Sequence, residues 1–539
     1  MELTIDKRDY SSWSFTGDCD ILPIERKLFH GDVIGNFGEL LQSPIRTMGQ
    51  IPGILILDDG KTYGRTDNGK RLLYRCIPDN DRFPVFLVPY DLKLGFSKDI
   101  KNKFVMFKLD KWTDKHPIGI ITETIGDVST LEFYYEYQLH RYQLNESITN
   151  FINTTRKLFG NTDENLLISK IIESNKFIKN RLTDNIITID PIGCVDIDDG
   201  FSCQTNIETG ITIMSIYISN VSVWMSTFDL WNDITRVSTI YLPDKRRTML
   251  PSILSDNLCS LIKNKQRIAL CMDVSISGDG QMIGEPRFEN AVICVKHNHS
   301  YDSIRDPQYL RALEITRKIN SKVKDSHEFI EYWMVFMNVE CGKRLALAGK
   351  GVFKRACLIE DRSHVFDNPL TQTFFNTWGN INSEYSIDYN STRHDVLDVS
   401  SYTQITSPIR RCVDLINQSQ FVRLIDSHAQ SDSFDKFITT WFTKIDYLNV
   451  KMKSIRRIQN DCDIMRMCYN VPDLSDLGIV FDEVECGDGY KYIVYLENLK
   501  LLSSVKTLIK IENHSRHRFR LFVFEDEHAR NRKIRLEII

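Results

Sequence analysis

Short apolar runs separated by polar turns dominate the first 160 residues. The clearest runs lie at residues 53–57, 83–88, 104–107 and 118–121. Clusters of Gly, Asp and Asn separate them, and runs of this length between turn residues are typical of strands in small β-barrels. The length of this region predicts two barrels, at residues 1–85 and 86–160.

The middle of the chain changes to the 3.6-residue spacing of apolar positions that predicts helices. The predicted helices lie at residues 161–185, 308–349, 409–426 and 434–455. The last of these is a dense apolar stripe, which is more typical of core than of a cofactor site. Strands are also expected around residues 190 and 211–218, so we predict one domain of mixed helices and strands over residues 161–470.

The end of the chain returns to strand-like runs, and a third small barrel is predicted at residues 471–539. Two basic clusters, at residues 514–520 and 530–535, favour RNA contact over a merely solvated face. Basic and aromatic residues also interleave at residues 63–75, which suits base stacking and phosphate contact. Ordinary barrel surface has the same composition, so both interpretations stay open there.

Composition limits the class of protein. With 539 residues the chain is too long for one ordinary domain. Its net charge of −4 argues against general coating of nucleic acid but is compatible with a locally basic channel. The 13 cysteines include no Cys-x-x-Cys pair, and the charged start of the chain does not resemble a signal peptide. We therefore expect a cytoplasmic protein with reduced thiols and no membrane association.

A cluster of four aspartates stands out: Asp190, Asp196, Asp198 and Asp199. Asp196 and Asp198 are two residues apart, so they point to the same face of an extended chain. Residues 182–235 contain eight acids and no Lys, Arg or His, so no side chain nearby in sequence neutralises the cluster. Because neighbouring carboxylates repel, some must be protonated or share a cation, and hard oxygen ligands favour Mg²⁺ or Mn²⁺. A solvated acidic turn is the alternative.

Several sequence blocks around the cluster occur in an order that resembles a known family. The blocks are residues 190–202, 216–222, 238–243, 249–261, 299–301, 330–338 and 402–414. Together they are similar to the RNB family of exoribonucleases, the ribonuclease II and exosome-nuclease group.

The resemblance implies an α+β, multidomain fold in which an RNB catalytic domain is flanked by OB-fold barrels. Two of these would be cold-shock-like and N-terminal, and one would be S1-like and C-terminal. It implies processive 3′-to-5′ hydrolysis of single-stranded RNA that releases nucleoside 5′-monophosphates and depends on Mg²⁺, with Mn²⁺ as an alternative. We expect a monomer with RNA as its partner, and the sequence identifies no protein partner.

The resemblance also assigns roles by position. The residues expected to hold the metal are Asp190, Asp196, Asp198 and Asp199. Asp198 matches the acid whose loss abolishes cleavage in the family, and Arg410 matches an arginine that contacts the scissile phosphate. The residues expected to bind RNA are Tyr241, Tyr301, Glu331 and Arg411.

The chain departs from the family pattern at a few positions. Asn220 replaces a usual Asp, Val223-Trp224 replaces a His-aromatic pair, and Gln418 stands where His is common. None of these changes removes an expected metal ligand, so an active enzyme is favoured. The departures motivate a second hypothesis, a non-catalytic RNA-binding scaffold that retains the fold. A DNA exonuclease is a more distant third.

Overall fold

The computed structural model describes all 539 residues except 93–99, 302–303, 357–370, 373, 375–382, 390–391, 427–430, 472–473, 488 and 526–531. Among the described residues, the helices are too short or too polar to span a bilayer. The chain divides into two compact units. Unit 1 consists of Met1–Asn145, Leu242–Asp244 and Arg456–Ile539. Unit 2 consists of Glu146–Tyr241 and Lys245–Ile455.

The N-terminal part of unit 1 is mostly β-structure. Its strands are β1 (Leu3–Ile5), β2 (Trp13–Phe15), β3 (Val33–Ile34), β4 (Leu40–Gln42), β5 (Ile51–Leu55), β6 (Leu72–Pro78), β7 (Phe86–Tyr90), β8 (Lys103–Lys111) and β9 (Ile118–Asp127). Its helices are α1 (Pro44–Thr47) and α2 (Leu131–Arg141). Strands β5 to β9 close into a barrel in the order β5-β6-β7-β9-β8.

The prediction of two N-terminal barrels, at residues 1–85 and 86–160, is wrong for the described residues. The predicted boundary falls between β6 and β7, which pair with each other from Leu72↔Tyr90 to Cys76↔Phe86. The polar residues near position 80 are therefore a turn inside one barrel. The first 50 residues form the hairpins β1–β2 and β3–β4, and Phe29 stacks on Phe86 in the same hydrophobic core as the barrel.

Unit 2 mixes strands and helices. Its strands are β10 (Lys179–Asp190), β11 (Asp199–Thr205), β12 (Thr212–Ser219), β13 (Ile240–Tyr241), β14 (Arg246–Arg247), β15 (Gln266–Ile276), β16 (Met282–Ser300), β17 (Phe353–Arg355) and β18 (Glu384–Ser386). Its helices are α3 (Thr149–Phe159), α4 (Glu164–Ser174), α5 (Val221–Thr227), α6 (Pro307–Ile319), α7 (Ser326–Leu347), α8 (Cys412–Ile425), α9 (Asp432–Thr443) and the start of α10 (Ile445–Asn470).

A second closed barrel, β10-β11-β12-β15-β16, forms the centre of unit 2. Strand β10 runs parallel to β16, with Asp190 opposite Ser300. Strand β11 runs antiparallel to β12, with Asp199 opposite Ile218. Because β10 ends at Asp190 and β11 begins at Asp199, the barrel fixes both ends of the short segment that carries Asp196 and Asp198.

The predicted helices of the middle region are mostly confirmed, but their boundaries differ. The pattern over 308–349 is two helices, α6 and α7, and the stripe over 434–455 is interrupted between α9 and α10. The predicted helix at 161–185 ends early, because residues from Lys179 onward pair with β16 as strand β10. Pairing with a distant strand has overridden the local helical pattern there.

The C-terminal part of unit 1 is a five-stranded antiparallel sheet in the order β21-β20-β19-β22-β23. Its strands are β19 (Leu474–Cys486), β20 (Gly489–Leu496), β21 (Leu501–Thr507), β22 (Arg516–Glu525) and β23 (Arg532–Ile538). Val480, Val494 and Phe519 lie in its hydrophobic core. An S1-like barrel at residues 471–539 stays a prediction, and part of the predicted basic cluster, including Arg530, lies outside the described residues.

Candidate active site

The acidic segment between β10 and β11 makes a tight turn before its carboxylates. The backbone N–H of Cys194 donates to the carbonyl of Pro191 at 3.0 Å. Gly193 has φ +80°, a left-handed conformation that side-chain-bearing residues rarely adopt. The turn thus brings the chain back from Asp190 toward Asp196, as the Pro and Gly in the sequence indicate.

Asp198 is nearly completely buried and is neutralised by residues from a distant part of the chain. Its Oδ1 accepts a hydrogen bond from the Ile409 backbone N–H at 3.0 Å, and its Oδ2 accepts one from Arg410 Nε at 3.1 Å. Burial raises the pKa of Asp198 to about 7, although Arg410 and the Ile409 N–H both act to lower it. Burial therefore makes the ionised form of Asp198 unfavourable, and the two donors offset only part of this effect.

Arg410 lies in the turn before α8 and keeps part of its guanidinium accessible. Its Nη2 donates to Ser407 Oγ at 3.1 Å, and its carbonyl accepts from the Thr239 backbone N–H at 2.8 Å. The side chain is still 45% exposed. A guanidinium carries five N–H donors, so Arg410 can bind a second anion while it holds Asp198.

Asp196 is bound by two side chains from one hairpin. In the β13–β14 hairpin Tyr241 lies opposite Arg246. The Tyr241 hydroxyl donates to Asp196 Oδ2 at 2.5 Å, and Arg246 Nη1 lies 3.1 Å from Asp196 Oδ1. Arg246 Nη2 also pairs with Asp256 Oδ2 at 2.7 Å. The hairpin therefore delivers a phenol and a second guanidinium to the acidic cluster.

Asp190 and Asp199 complete the cluster from the ends of their strands. Burial raises the pKa of Asp190 to about 6, and the Oδ2 of Asp190 is buried without a hydrogen-bond partner among the described residues. Burial also raises the pKa of Asp199 well above its usual range, and the charges of Asp190 and Asp198 raise it further. These two acids repel each other and are poorly solvated, so they would gain from a cation.

Tyr301 lies close to this cluster and stacks on a histidine. Burial raises its pKa to about 12, and the charges of Asp199 and Asp190 contribute to the shift. The rings of Tyr301 and His327 lie 3.8 Å apart at an angle of 6°. The Ser326 hydroxyl donates to the carbonyl of Tyr301 at 3.2 Å, so the first turn of α7 orients this ring.

Two residues predicted to bind RNA are not seen to contact the cluster. Glu331 is exposed on α7, and its charge acts on Tyr402. Arg411 Nη2 donates to Oδ1 of the buried Asp414 at 2.8 Å. This ion pair within the fold accounts for the presence of an arginine at position 411. Contact of either residue with RNA stays a prediction.

The acids have no basic neighbour in sequence, but the structure brings two arginines from outside residues 182–235 to them. Arg410 and Arg246 both reach them, and Arg410 is 212 residues from Asp198 in sequence. A count of local charges misses partners that arrive through tertiary contacts. The sequence analysis did not single out Arg246, although it lies between two of the family-like blocks. It also missed Cys194, whose Sγ lies 3.9 Å from Asp196 Oδ1.

The donor set partly fits a divalent cation. Asp190 and Asp199 offer hard oxygen donors, and the unpartnered Asp190 Oδ2 is such a donor. The oxygens of Asp196 and Asp198, by contrast, are already contacted by the two arginines, Tyr241 and a backbone N–H. Within the described ranges, no group of three or more His, Cys, Asp or Glu side chains is arranged to hold a metal ion.

Comparison with known proteins finds a family model that covers part of this site. Residues 179–329, which include the four aspartates, Tyr241 and Tyr301, match the model of the RNB domain. DIS3-like exonuclease 2 of Schizosaccharomyces pombe is 27% identical over 191 residues, which is 34% of this chain and 20% of that protein. The chain spans about a fifth of the length of the first curated relatives that it matches.

Solved structures show the fold over a longer stretch. Mycoplasma genitalium RNase R in complex with ribose methylated single-stranded RNA matches with a TM-score of 0.70 and 14% identity, over 94% of this chain and 95% of that one. Yeast Ssd1, a pseudonuclease, matches with a TM-score of 0.60 and 14% identity, over 87% and 66%. The multidomain α+β fold expected for a chain with an RNB domain is confirmed.

Two of the departures from the family pattern, Asn220 and Gln418, have structural roles. Asn220 caps α5 by accepting from the Val223 backbone N–H, and it donates to Asn290 at 2.7 Å. Gln418 accepts from the Ser222 backbone N–H at 3.1 Å and donates to the Ser219 carbonyl at 2.7 Å. These buried amides satisfy backbone groups, so their presence does not by itself argue against catalysis.

Proposed function

We propose that this chain is a hydrolytic exoribonuclease that shortens single-stranded RNA from its 3′ end. It would act processively and release nucleoside 5′-monophosphates. The observation that carries this proposal is the contact between Arg410 and Asp198, 3.1 Å apart, beside three further carboxylates in an RNB domain. RNA as the substrate is supported by the RNA bound in the RNase R structure that shares the fold.

Arg410 would bind the phosphate to be cut. Phosphodiester hydrolysis places additional negative charge on the phosphoryl oxygens, and a planar guanidinium can donate to two of them at once. Arg410 is oriented by Ser407 and Asp198, yet remains 45% exposed. Asp198 would thus orient the phosphate-binding group as well as contribute a carboxylate.

The four aspartates would hold Mg²⁺, or Mn²⁺, in the active enzyme. Asp190 and Asp199 are the donors that need a cation most, because burial and mutual repulsion penalise their charges. When bound, a divalent ion in such a site neutralises phosphoryl charge and lowers the pKa of water. Residues 182–235, which contain the cluster, include no His that could act as a base, so this chemistry suits the stretch that carries the acids.

Aromatic rings would bind the last nucleotides. The Tyr301–His327 stack presents a flat surface close to Asp190 and Asp199, and Tyr241 is anchored to Asp196. Stacking tolerates any base, which suits an enzyme that degrades RNA without regard to sequence. Glu331 and Arg411 are proposed as further RNA contacts on the strength of the resemblance alone.

The test is cleavage of a 5′-labelled, single-stranded RNA in Mg²⁺. We expect the parent protein to shorten the RNA, EDTA to stop it, and Asp198→Asn to lose at least about 100-fold in rate. Glu208→Gln is the matched control, since Glu208 lies in the same stretch of acids but on an exposed turn. Parent-like cleavage by Asp198→Asn would refute the proposal.

A non-catalytic RNA-binding scaffold is the second candidate. The yeast pseudonuclease shares the fold, and the oxygens of Asp196 and Asp198 already have protein partners. The scaffold would bind the labelled RNA without shortening it and would bind equally well in EDTA. Shortening of the matching deoxy strand in place of the RNA would instead point to a DNA exonuclease.

A further inference from the structure

Ser260 contacts the peptide groups on both sides of Asp196. It follows a π-helical turn, Leu254–Leu258, and is completely buried. Its hydroxyl donates to the carbonyl of Val195 at 2.7 Å and accepts from the backbone N–H of Ile197 at 3.1 Å. One side chain therefore satisfies two backbone groups of the acidic segment, and the Ile197 N–H would otherwise be buried without a partner.

The direction of the Ser260 hydroxyl is itself fixed. Arg267, also almost completely buried, donates from Nε to the Ser260 carbonyl at 2.8 Å. The Ser260 backbone N–H donates to the Asn257 carbonyl at 3.0 Å, and the Leu261 N–H donates to the Ile197 carbonyl at 3.0 Å. Hydrogen bonds thus fix the backbone of residues 257–261 and join it to the acidic segment.

We propose that Ser260 is a positioning residue for Asp196. The hydroxyl fixes the two flanking peptide planes, and these planes set the direction in which the Asp196 carboxylate meets Tyr241 and Arg246. The proposal rests on the proposed function, in which Asp196 belongs to the cutting site. Ser260 itself touches neither the carboxylate nor the substrate.

The test combines hydrogen exchange with kinetics in the full chain. Ser260→Ala removes the hydroxyl, and Ser260→Cys keeps a similar volume with weaker hydrogen bonding. Ser419→Ala is the matched control, because Ser419 is equally buried but its hydroxyl donates within α8, to the Ile416 carbonyl. Amide exchange is measured for residues 195–199, and kcat and KM are measured on single-stranded RNA in saturating Mg²⁺.

We expect faster exchange confined to residues 195–199 in Ser260→Ala, with a smaller change in Ser260→Cys. We expect kcat to fall about 10–100-fold with KM unchanged, as is typical when a residue that orients an active-site ligand is lost. Ser419→Ala should change neither. Parent-like exchange and kcat in Ser260→Ala would overturn the proposal.

The two proposals fail separately. If the parent protein releases no nucleotide from RNA, the proposed function fails, and exchange alone decides the role of Ser260. Faster exchange at residues 195–199 would then still support the positioning role, and unchanged exchange would overturn it.

Discussion

Two carboxyl groups in this site, those of Asp190 and Asp198, have pKa values above the ordinary value for aspartate. Burial raises the pKa of Asp190 to about 6 and that of Asp198 to about 7. Arg410 offsets only part of the penalty for Asp198, and the Oδ2 of Asp190 has no partner in the described part of the chain. Folding therefore favours the protonated form of these two groups relative to the unfolded chain, and a cation close to Asp190 would offset this effect.

This preference leads to a test of pH dependence. A carboxyl group whose pKa is raised on folding stabilises the fold fully below its ordinary pKa of 3.8, and that stability is lost as pH rises through the folded value. In EDTA we expect the melting temperature to fall as pH rises from about 4 through the folded pKa values of about 6 and about 7. Asp190→Asn should show a smaller fall, because the group with a pKa of about 6 no longer titrates.

Thermal unfolding from pH 4.5 to 8.5 measures this difference, with Glu208→Gln as the control that should follow the parent. Added Mg²⁺ at pH 8 should raise the melting temperature of the parent more than that of Asp190→Asn. A parent profile that rises over this range, or an Asp190→Asn profile that matches the parent, would show that Asp190 is not held as described.

At the scale of elements, the turn before α8 decides where Arg410 lies. Asp414, in the first turn of α8, is completely buried and accepts from the Ser407 backbone N–H at 2.9 Å and from Arg411 Nη2 at 2.8 Å. Asp414 Oδ1 thus links Ser407, at the start of the turn, to Arg411, at its end. Arg410 is held between these two contacts.

Asp414→Ala should therefore weaken both the fold and the site. The change leaves Arg411 without its acid, and breaking a buried ion pair in this way costs about 3 kcal/mol or more. Denaturant unfolding measures the loss, and RNA cleavage should fall because the turn that carries Arg410 is released. Asp432→Ala is a matched control in the first turn of α9, where the residue is exposed. Equal stability of the two variants would contradict this role.

Elements with a strong local pattern could be predicted from the sequence, and pairings between distant segments could not. The strands around the acidic cluster and the apolar helices α7 to α10 are confirmed, because their periodicity is local. The extra N-terminal barrel is wrong, and the helix predicted at 161–185 ends early, because β6–β7 and β10–β16 pairing decide those regions. A turn inside a barrel and a boundary between barrels look alike in sequence.

Within the site, too, residues with a local sequence signal could be predicted, and residues that act through tertiary contacts could not. The four aspartates stand out by spacing and charge alone, and Arg410 could be placed only through the resemblance. Arg246 and Ser260 could not be predicted, since each acts through tertiary contacts. Arg246 contacts Asp196 from a hairpin, and Ser260 contacts the two peptide groups that flank Asp196. Local sequence identifies the acids but not the groups that orient them.

For the whole molecule, the net charge of −4 makes general attraction of RNA weak, so the proposed RNA substrate would have to be bound by local contacts. The proposal of an enzyme that begins at an RNA end rests on the similarity of residues 179–329 to the RNB domain and on the Arg410–Asp198 contact.

The most direct measurement is single-turnover release of label from an RNA whose last internucleotide phosphate is radioactive. With Mg²⁺ present, we expect the first product of the parent protein to be the labelled nucleoside 5′-monophosphate, formed before any loss of internal nucleotides. Asp198→Asn should release none on the same timescale. Label that stays in the RNA, or that leaves equally fast from Asp198→Asn, would contradict a cutting site built on these aspartates and Arg410.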